Sequence, residues 1–289
     1  MEILTKTFLG IKQPDYKTAQ AVILPIGYEE TASYLKGTID APTSIIEASY
    51  QLELYDIETD SQPHLEGIYT APPISLRAIS PEEAIKRTYT ETQSVLKASK
   101  LPVLIGGEHS LSLGAVKAGV EVYSDLSVLQ IDAHADLRDS YEGTEYSHAC
   151  VMKRVSEMVP YIGVGIRSVA PDESEIFKRK RKAKEIFTVA DFRQLENFEA
   201  IVEKLSDNVY ITIDADGFDP SLIPGVGTPE PDGLTFDELN RMLGEVIATK
   251  NIVGFDFMEL RPMKGDVRSE FTAAKIVYKV LAKIFRIGL

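Results

Sequence analysis

The sequence has few of the features that mark secreted, membrane or nucleic-acid-binding proteins. Its 289 residues include one cysteine, Cys150, so an internal disulfide is excluded and a reducing compartment is expected. No apolar run approaches the length of a membrane span, and the first six residues lack the charged-then-apolar layout of a signal peptide. The 31 Lys and Arg residues are outnumbered by 44 Asp and Glu residues, and the resulting charge of −13 argues against nucleic acid as a partner. We therefore expect a cytoplasmic protein that binds neither membranes nor nucleic acids.

Short apolar runs of strand character alternate with helical segments along the chain. This alternation predicts an α/β protein with a parallel sheet covered by helices on both faces. One helix is predicted to begin after Ser80, another after Thr235 with a capping box, and a third is expected from Ala190 to Leu205. Residues 56–80 show no regular pattern. Because we find no repeat, low-complexity tract or linker, we expect residues 1–289 to form a single domain.

Three of the strand-like runs are followed by residue types that bind metals. In chain order these residues are His109 after the first run, Asp132, His134 and Asp136 after the second, and Asp214 and Asp216 after the third. In an extended chain residues two apart point to the same side, so each acidic stretch forms a ridge of potential ligands.

The carboxyl ends of parallel strands meet at one edge of a sheet, so these six side chains are expected to lie together. Four aspartates and two imidazoles are enough ligands for two divalent ions. An oxygen-rich set suits Mn²⁺ better than zinc, which more often recruits sulfur or further histidines. Taken alone, each residue could have an ordinary structural role instead of binding a metal. His109 could be a hydrogen-bonded turn histidine, and an Asp after a strand often caps the next helix. That alternative explains one of these residues but not all six.

Six short motifs follow one another along the chain. They are Gly-Gly-Glu-His-Ser at 106–110, Asp-Ala-His-Ala-Asp at 132–136, Ser-His at 147–148, Asp-Ala-Asp-Gly-Phe-Asp-Pro at 214–220, Gly-Val-Gly-Thr-Pro at 225–229 and Met-Glu-Leu-Arg-Pro at 258–262. Together they closely resemble the ureohydrolase (arginase/agmatinase) family, and the resemblance extends to residues 31–37 and 165–168. It implies a three-layer α/β/α sandwich with a mostly parallel eight-stranded sheet. It also implies a centre of two Mn²⁺ ions and hydrolysis of a guanidino compound to urea and an amine.

The resemblance implies roles for individual residues. One metal would be held by His109, Asp132, Asp136 and Asp214, and the other by Asp132, His134, Asp214 and Asp216. Glu259 matches the glutamate that anchors the guanidinium, and His148 matches a loop histidine that carries protons. These two residues and Asp136 are the expected catalytic residues, and Glu259, His148 and Thr228 are expected to contact the substrate. The chain departs from the family pattern at Glu108, where Asp is frequent, but no ligand is lost.

Two further acids bear on which guanidino compound is cleaved. Arginases resemble one another in an Asn-containing segment before the loop histidine, which helps to hold the α-carboxylate of the substrate. This chain has Glu142 and Glu145 there and no Asn, so a carboxylate would be repelled and an amine attracted. We therefore expect agmatine, cleaved to urea and putrescine, although both acids could equally be solvated loop residues.

Other substrates and assemblies stay open at this point. N1-aminopropylagmatine, arginine and 4-guanidinobutyrate would be cleaved by the same chemistry. The alternative from another functional class is a non-catalytic, metal-stabilised binding protein. The resemblance further implies a homo-oligomer, either a trimer or a hexamer.

Overall fold

A single sheet runs through the part of the chain that the computed structural model describes, residues 6–288. Its strands are β1 (Ala21–Gly27), β2 (Ile68–Thr70), β3 (Ile74–Ser75), β4 (Leu101–Gly106), β5 (Leu126–Ile131), β6 (Tyr161–Ile166), β7 (Ile186–Thr188), β8 (Asn208–Asp214) and β9 (Asn251–Met258). Eight of them follow the order β2-β1-β4-β9-β8-β5-β6-β7, and β3 pairs with β1 beyond β2. Every pairing is parallel, as predicted. Residues 1–5, on which the expectation about a signal peptide partly rests, lie outside the described range.

Helices cover both faces of this sheet. Within residues 6–288 they are α1 (Ala41–Ser49), α2 (Pro81–Lys97), α3 (Ser112–Val122), α4 (Val151–Ser156), α5 (Ser174–Lys182), α6 (Val189–Arg193), α7 (Glu199–Val202), α8 (Phe236–Thr249) and α9 (Arg268–Ile287). One buried apolar cluster joins the sheet to α1 and α6–α9, and a second joins it to α2–α4. In β1 the side chains of Val22 and Leu24 belong to the second cluster and that of Ile23 to the first, so the strand is buried on both faces. The three-layer α/β/α architecture is confirmed, and no helix in this range is long and apolar enough to cross a membrane.

The predicted helix starts agree with the structure. Ser80 caps α2 by accepting a hydrogen bond from the backbone of Glu83, and Pro81 occupies the first helical position. Thr235 and Glu238 form the reciprocal capping box at the start of α8. Local sequence is enough to place these two boundaries because all the partners lie within one turn.

One prediction about local structure was wrong. The helix expected from Ala190 to Leu205 is interrupted between α6 and α7, where Phe198 stacks on Phe192 with ring centroids 5.3 Å apart. The break allows both phenylalanines to be buried, whereas a continuous helix would fix their spacing. Residues 56–80, which had no regular pattern, contain the short strands β2 and β3 at the edge of the sheet.

The order of the strands positions the candidate site. The strands that precede the six candidate ligands and Glu259 are β4, β5, β8 and β9, and they are neighbours in the sequence β4-β9-β8-β5. Parallel pairing brings their carboxyl ends to the same edge. Residues up to 150 positions apart in the chain therefore meet at the middle of one sheet edge.

Candidate metal centre

The first cluster is built around the ring of His109. Its Nδ1 lies 3.2 Å from Asp132 Oδ2, 3.4 Å from Asp136 Oδ2 and 3.1 Å from Asp214 Oδ2. All four residues are buried. Although three carboxylates surround it, Nδ1 makes no hydrogen bond of acceptable geometry to any described residue. A ring nitrogen that faces three carboxylate oxygens without a proper hydrogen bond is an arrangement that suits a bound cation.

The orientation of the His109 ring is fixed from its other side. His109 Nε2 lies 2.8 Å from Thr212 Oγ1, and Thr212 donates its hydroxyl hydrogen to Asp256 Oδ1 at 2.7 Å. Because this hydrogen is committed to the carboxylate, Thr212 accepts from Nε2–H, so Nδ1 is the ring nitrogen that would face a metal ion. Sequence analysis did not identify Thr212 or Asp256. One feature of the sequence could have identified Thr212. It lies two residues before Asp214 and so faces the same side of β8.

The second cluster joins His134 to two aspartates. His134 Nδ1 lies 2.9 Å from Asp216 Oδ2 and 3.9 Å from Asp132 Oδ1. Thr228, expected to contact substrate, donates to Asp216 Oδ2 at 3.3 Å. Ligand atoms from Asp132, His134 and Asp216 lie within 4.8 Å of one another, as do those from His109, Asp132 and Asp214. Asp132 thus belongs to both groups, whereas Asp214 contacts the second only by accepting a 2.8 Å hydrogen bond from the backbone of Asp216.

Asp132 itself is held by two donors. The side-chain amide of Gln130 donates to Oδ2 at 2.8 Å, and the backbone N–H of His134 donates to Oδ1 at 2.6 Å. Gln130 is completely buried and lies two residues before Asp132 on the same side of β5. Sequence analysis did not assign it a role. Its amide orients the carboxylate that both clusters share.

The crowding of these groups perturbs their ionisation. Burial would lower the pKa of His134, but the negative charges of Asp216 and Asp132 raise it to about 11. Burial and the charge of Asp132 raise the pKa of Asp136 to about 7. Burial and the charges of Asp216 and Asp132 raise the pKa of Asp214 well above its usual value. The carboxylates therefore need a compensating positive charge, which a divalent cation would supply.

A cavity of about 340 Å³ opens beside the clusters. Its lining includes His134, Asp136, His148, Asp214, Asp216, Thr228 and Glu259 among the predicted site residues. Burial and the charge of Glu108 raise the pKa of Glu259 to about 8. Asp136 and Glu259 both have positive φ, at 51° and 60°, which is uncommon for residues other than glycine. Strained backbone of this kind at two residues of one cavity is typical of functional sites.

His148 lies on the wall of this cavity. It begins a short turn of 3₁₀ helix capped by Ser147, and its ring packs edge-on against that of Tyr141 at a centroid distance of 6.0 Å. Burial, together with positive charge on His134 and His109, lowers the pKa of His148 to about 4. The ring is therefore neutral at pH 7 and able to accept a proton.

Comparison with known proteins agrees with this geometry. The family model described as the arginase family matches residues 19–282. The chain belongs to the arginase family. It is 40% identical to the N(1)-aminopropylagmatine ureohydrolase of Synechocystis sp. over 92% of this chain and 89% of that protein. It is 35% identical to the agmatinase of Pyrococcus horikoshii over 92% of this chain and 93% of that protein.

A solved structure shows the same fold. The agmatine ureohydrolase of Thermoplasma volcanium superposes with a TM-score of 0.86 at 30% identity, covering 96% of this chain and 95% of that one. The predicted fold and family are both confirmed, and the chain is an arginase-family hydrolase.

Two residues that were predicted to contact the substrate, Glu142 and Glu145, do not line the cavity of this arginase-family chain. Glu145 is exposed, and its carboxylate pairs with Arg154 at 2.9 Å. Glu142 is exposed in a tight turn, where Tyr141 and Thr144 exchange backbone hydrogen bonds. Its positive φ of 47°, followed by Gly143 at 86°, is the geometry of a hairpin turn. In the structure Glu142 and Glu145 serve a turn and an ion pair with Arg154, and their contact with the substrate remains a prediction.

Proposed function

We propose that this arginase-family hydrolase uses two divalent metal ions to release urea from a guanidino compound with an amine-bearing tail. The observation that carries the proposal is the position of Glu259, a carboxylate with no role in either cluster, on the wall of the cavity that the clusters share. A carboxylate binds the planar guanidinium group through paired hydrogen bonds. Its place beside the clusters would put the guanidinium carbon next to the metals.

The residues present fit two metal ions. Two features fit a bound ion better than a hydrogen-bonded network. His109 Nδ1 faces three carboxylates without a hydrogen bond of acceptable geometry, and the carboxylate of Asp132 belongs to both clusters. The predicted sets supply four carboxylates and two imidazoles, which supports manganese over zinc. When bound, such ions supply hydroxide near neutral pH and polarise the group that is attacked.

The side chains around the cavity would perform the remaining steps. Glu259 binds and orients the guanidinium. His148, neutral at pH 7, takes a proton from the attacking water and returns it to the nitrogen of the leaving amine. Asp136, which lines the cavity and belongs to the first cluster, would help to hold one of the metals.

The charge of the cavity supports a cationic substrate. Three carboxylates of its lining, those of Asp136, Asp214 and Asp216, are assigned to the metals. The other two, those of Glu173 and Glu259, outnumber the one guanidinium, that of Arg138. The names of the relatives support an amine-bearing tail. The relative from Synechocystis, at 40% identity, is named for N(1)-aminopropylagmatine, and that from Pyrococcus horikoshii, at 35%, is an agmatinase. We therefore propose N1-aminopropylagmatine and agmatine as substrates, with urea and the corresponding amine, putrescine from agmatine, as products.

A panel of guanidino compounds tests the proposal. Urea release is measured as kcat/KM on agmatine, N1-aminopropylagmatine, 4-guanidinobutyrate and arginine at equal manganese concentration. The Asp132→Ala variant, purified in parallel, controls for a contaminating hydrolase. We expect one of the two amine-tailed compounds to have the highest kcat/KM. A higher value for arginine or 4-guanidinobutyrate would contradict the proposed tail, and no urea from any compound would contradict the proposed reaction.

Three further predictions accompany the proposal. The single domain is supported by a continuous sheet whose strands come from residues 21 to 258. The homo-oligomer and the cytoplasmic location remain predictions. Size-exclusion chromatography with light scattering would measure the subunit number.

A further inference from the structure

The contacts of Thr31 connect a buried acid to His148, a residue 117 positions away in the chain. Thr31 lies in the loop after β1 and is almost completely buried. Its hydroxyl donates to Glu108 Oε1 at 2.6 Å, and its backbone N–H donates to Glu108 Oε2 at 2.8 Å. Ser110 donates a third hydrogen bond to Glu108 Oε1 at 2.5 Å. Glu108 is completely buried and accepts all three.

The hydroxyl of Thr31 has one hydrogen and two lone pairs, and all three are used. The hydrogen goes to Glu108, because that bond is short and its acceptor is a carboxylate. One lone pair accepts the backbone N–H of His148 at 3.1 Å. The other faces His148 Nδ1, also at 3.1 Å. Since Thr31 has no hydrogen left to give, this last contact is a hydrogen bond only if Nδ1 carries the hydrogen.

We propose that Thr31, held by Glu108, is a positioning residue that keeps the hydrogen of neutral His148 on Nδ1 and leaves Nε2 free to accept a proton from the cavity. The inference rests on the proposed function, in which His148 carries the proton. Nε2 takes the proton as the O–H bond of the attacking water breaks. The same proton passes to the amine nitrogen as the C–N bond breaks, so His148 returns to its starting state.

One other group faces the same nitrogen. Ser147 Oγ lies 3.3 Å from His148 Nδ1 and also accepts the backbone N–H of Ala149 at 3.4 Å. Its hydroxyl could donate to Nδ1 and would then favour the opposite tautomer. The contact with Thr31 is shorter, and Thr31 binds both the backbone and the ring of His148. We therefore assign control of the tautomer to Thr31.

Nitrogen NMR measures the tautomer directly. The chain has only four histidines, so imidazole ¹⁵N labelling gives few signals, and a His148→Gln variant assigns the relevant pair. The protein is loaded with a diamagnetic divalent ion to avoid line broadening. We expect protonated Nδ1 and unprotonated Nε2 in the wild type and in Thr31→Ser, which keeps the hydroxyl. In Thr31→Val, which removes it, the Nε2–H tautomer is expected to gain population.

Kinetics on the best substrate of the panel supply the second readout. We expect Thr31→Val to lower kcat by about 10–100-fold with little change in KM, the loss that one hydrogen bond to a reacting group produces. Thr31→Ser should restore most of it. In the His148→Ala background Thr31→Val should cause no further loss, whereas a merely structural Thr31 would lower kcat again. Metal content, measured on each variant, should stay at the wild-type level.

The outcomes separate this inference from the proposed function. An Nε2–H tautomer in the wild type, or a Thr31→Val variant with wild-type tautomer and kcat, overturns the role of Thr31 while urea release stands. If no guanidino compound yields urea, the proposed function fails. The tautomers of the wild type, Thr31→Ser and Thr31→Val still decide whether Thr31 orients the ring.

Discussion

Glu259 accepts a 2.6 Å hydrogen bond through Oε1 from the backbone N–H of His109, although 150 positions separate them in the chain. The backbone N–H of Glu259 in turn donates to the carbonyl of Gly107 at 2.8 Å. A Cβ at Gly107 would lie 1.9 Å from the carbonyl oxygen of Tyr28, so only glycine allows the turn to pack this closely against Tyr28. The candidate guanidinium anchor is thereby tied to the turn that presents a candidate metal ligand. In the proposed function, this one backbone contact would couple the position of the substrate to that of the metal.

This contact leads to a prediction for Glu259→Gln. The amide oxygen can still accept from His109, so the turn and the metals should be retained. A bound guanidinium favours the charged form of Glu259 over the neutral form that burial favours. The variant lacks this charge, and a charge-assisted hydrogen bond contributes about 1.5–3 kcal/mol. We expect kcat/KM to fall by about 10–100-fold, measured together with metal content. The exposed Glu196→Gln variant serves as the control. An unchanged kcat/KM in Glu259→Gln would contradict the proposal that Glu259 binds the guanidinium.

A second prediction concerns Asp132 and Asp214, the two carboxylates that the family resemblance assigns to both metals. Asp132→Ala or Asp214→Ala should abolish urea release and lower the manganese content, because each removes a ligand assigned to both ions. The Tm in manganese should fall by about 2–4 °C for each kcal/mol of binding free energy that is lost. Elemental analysis and thermal unfolding measure the two effects, with the exposed Asp237→Ala as control. Full occupancy of two metals in either variant contradicts the assignment.

The fold and the six candidate ligands could be predicted because their signals are local or periodic. The strand ends carry Asp and His at alternate positions, and parallel strands bring their carboxyl ends to one edge. The capping residues Ser80 and Thr235 act within a single helical turn. None of these inferences needs a partner that is distant in the chain.

The groups that orient the site could not be predicted in this way. Thr212 reaches His109 across 103 positions, and Thr31 reaches Glu108 across 77. Serine and threonine hydroxyls have many uses, and the sequence does not say which partner the fold supplies. Glu145 shows the same limit, because its pairing with Arg154 follows from how the loop folds back on α4.

A third prediction separates proton transfer from metal binding. His148→Ala should keep both metals, because the ring contacts Thr31 and Tyr141 and belongs to neither cluster. Turnover should fall by about 10²–10⁴-fold, the contribution expected of a general acid–base group. Metal content and kcat are measured on the same preparation. Loss of a metal would show that His148 is a ligand, and near-normal turnover would show that His148 does not carry the proton.

An ion pair outside the cavity lining leads to a prediction about stability. Lys279 of α9 lies 2.8 Å from Asp56 Oδ2 and 2.9 Å from Glu58 Oε2. Burial alone would raise the pKa of Asp56, but the bonds from Lys279 and Thr59 outweigh it and hold this pKa below its usual value. The pair connects α9 to the loop that follows α1, where Asp56 and Lys279 are both buried.

Asp56→Asn should lower the free energy of unfolding, and the loss should depend on pH. Breaking a buried pair costs about 3–5 kcal/mol when a charge is left alone, and because Glu58 still faces Lys279 we expect about 1–3 kcal/mol at pH 7. The folded pKa of Asp56 is lower than the unfolded value of about 3.9, so its contribution is complete above that pH and disappears as the pH falls through the folded value. Denaturant unfolding of the wild type and the variant, at pH 7 and at pH below about 3, measures the difference, with the exposed Asp237→Asn as control. A difference as large in acid as at neutral pH would show that the carboxylate acts by packing and not by charge.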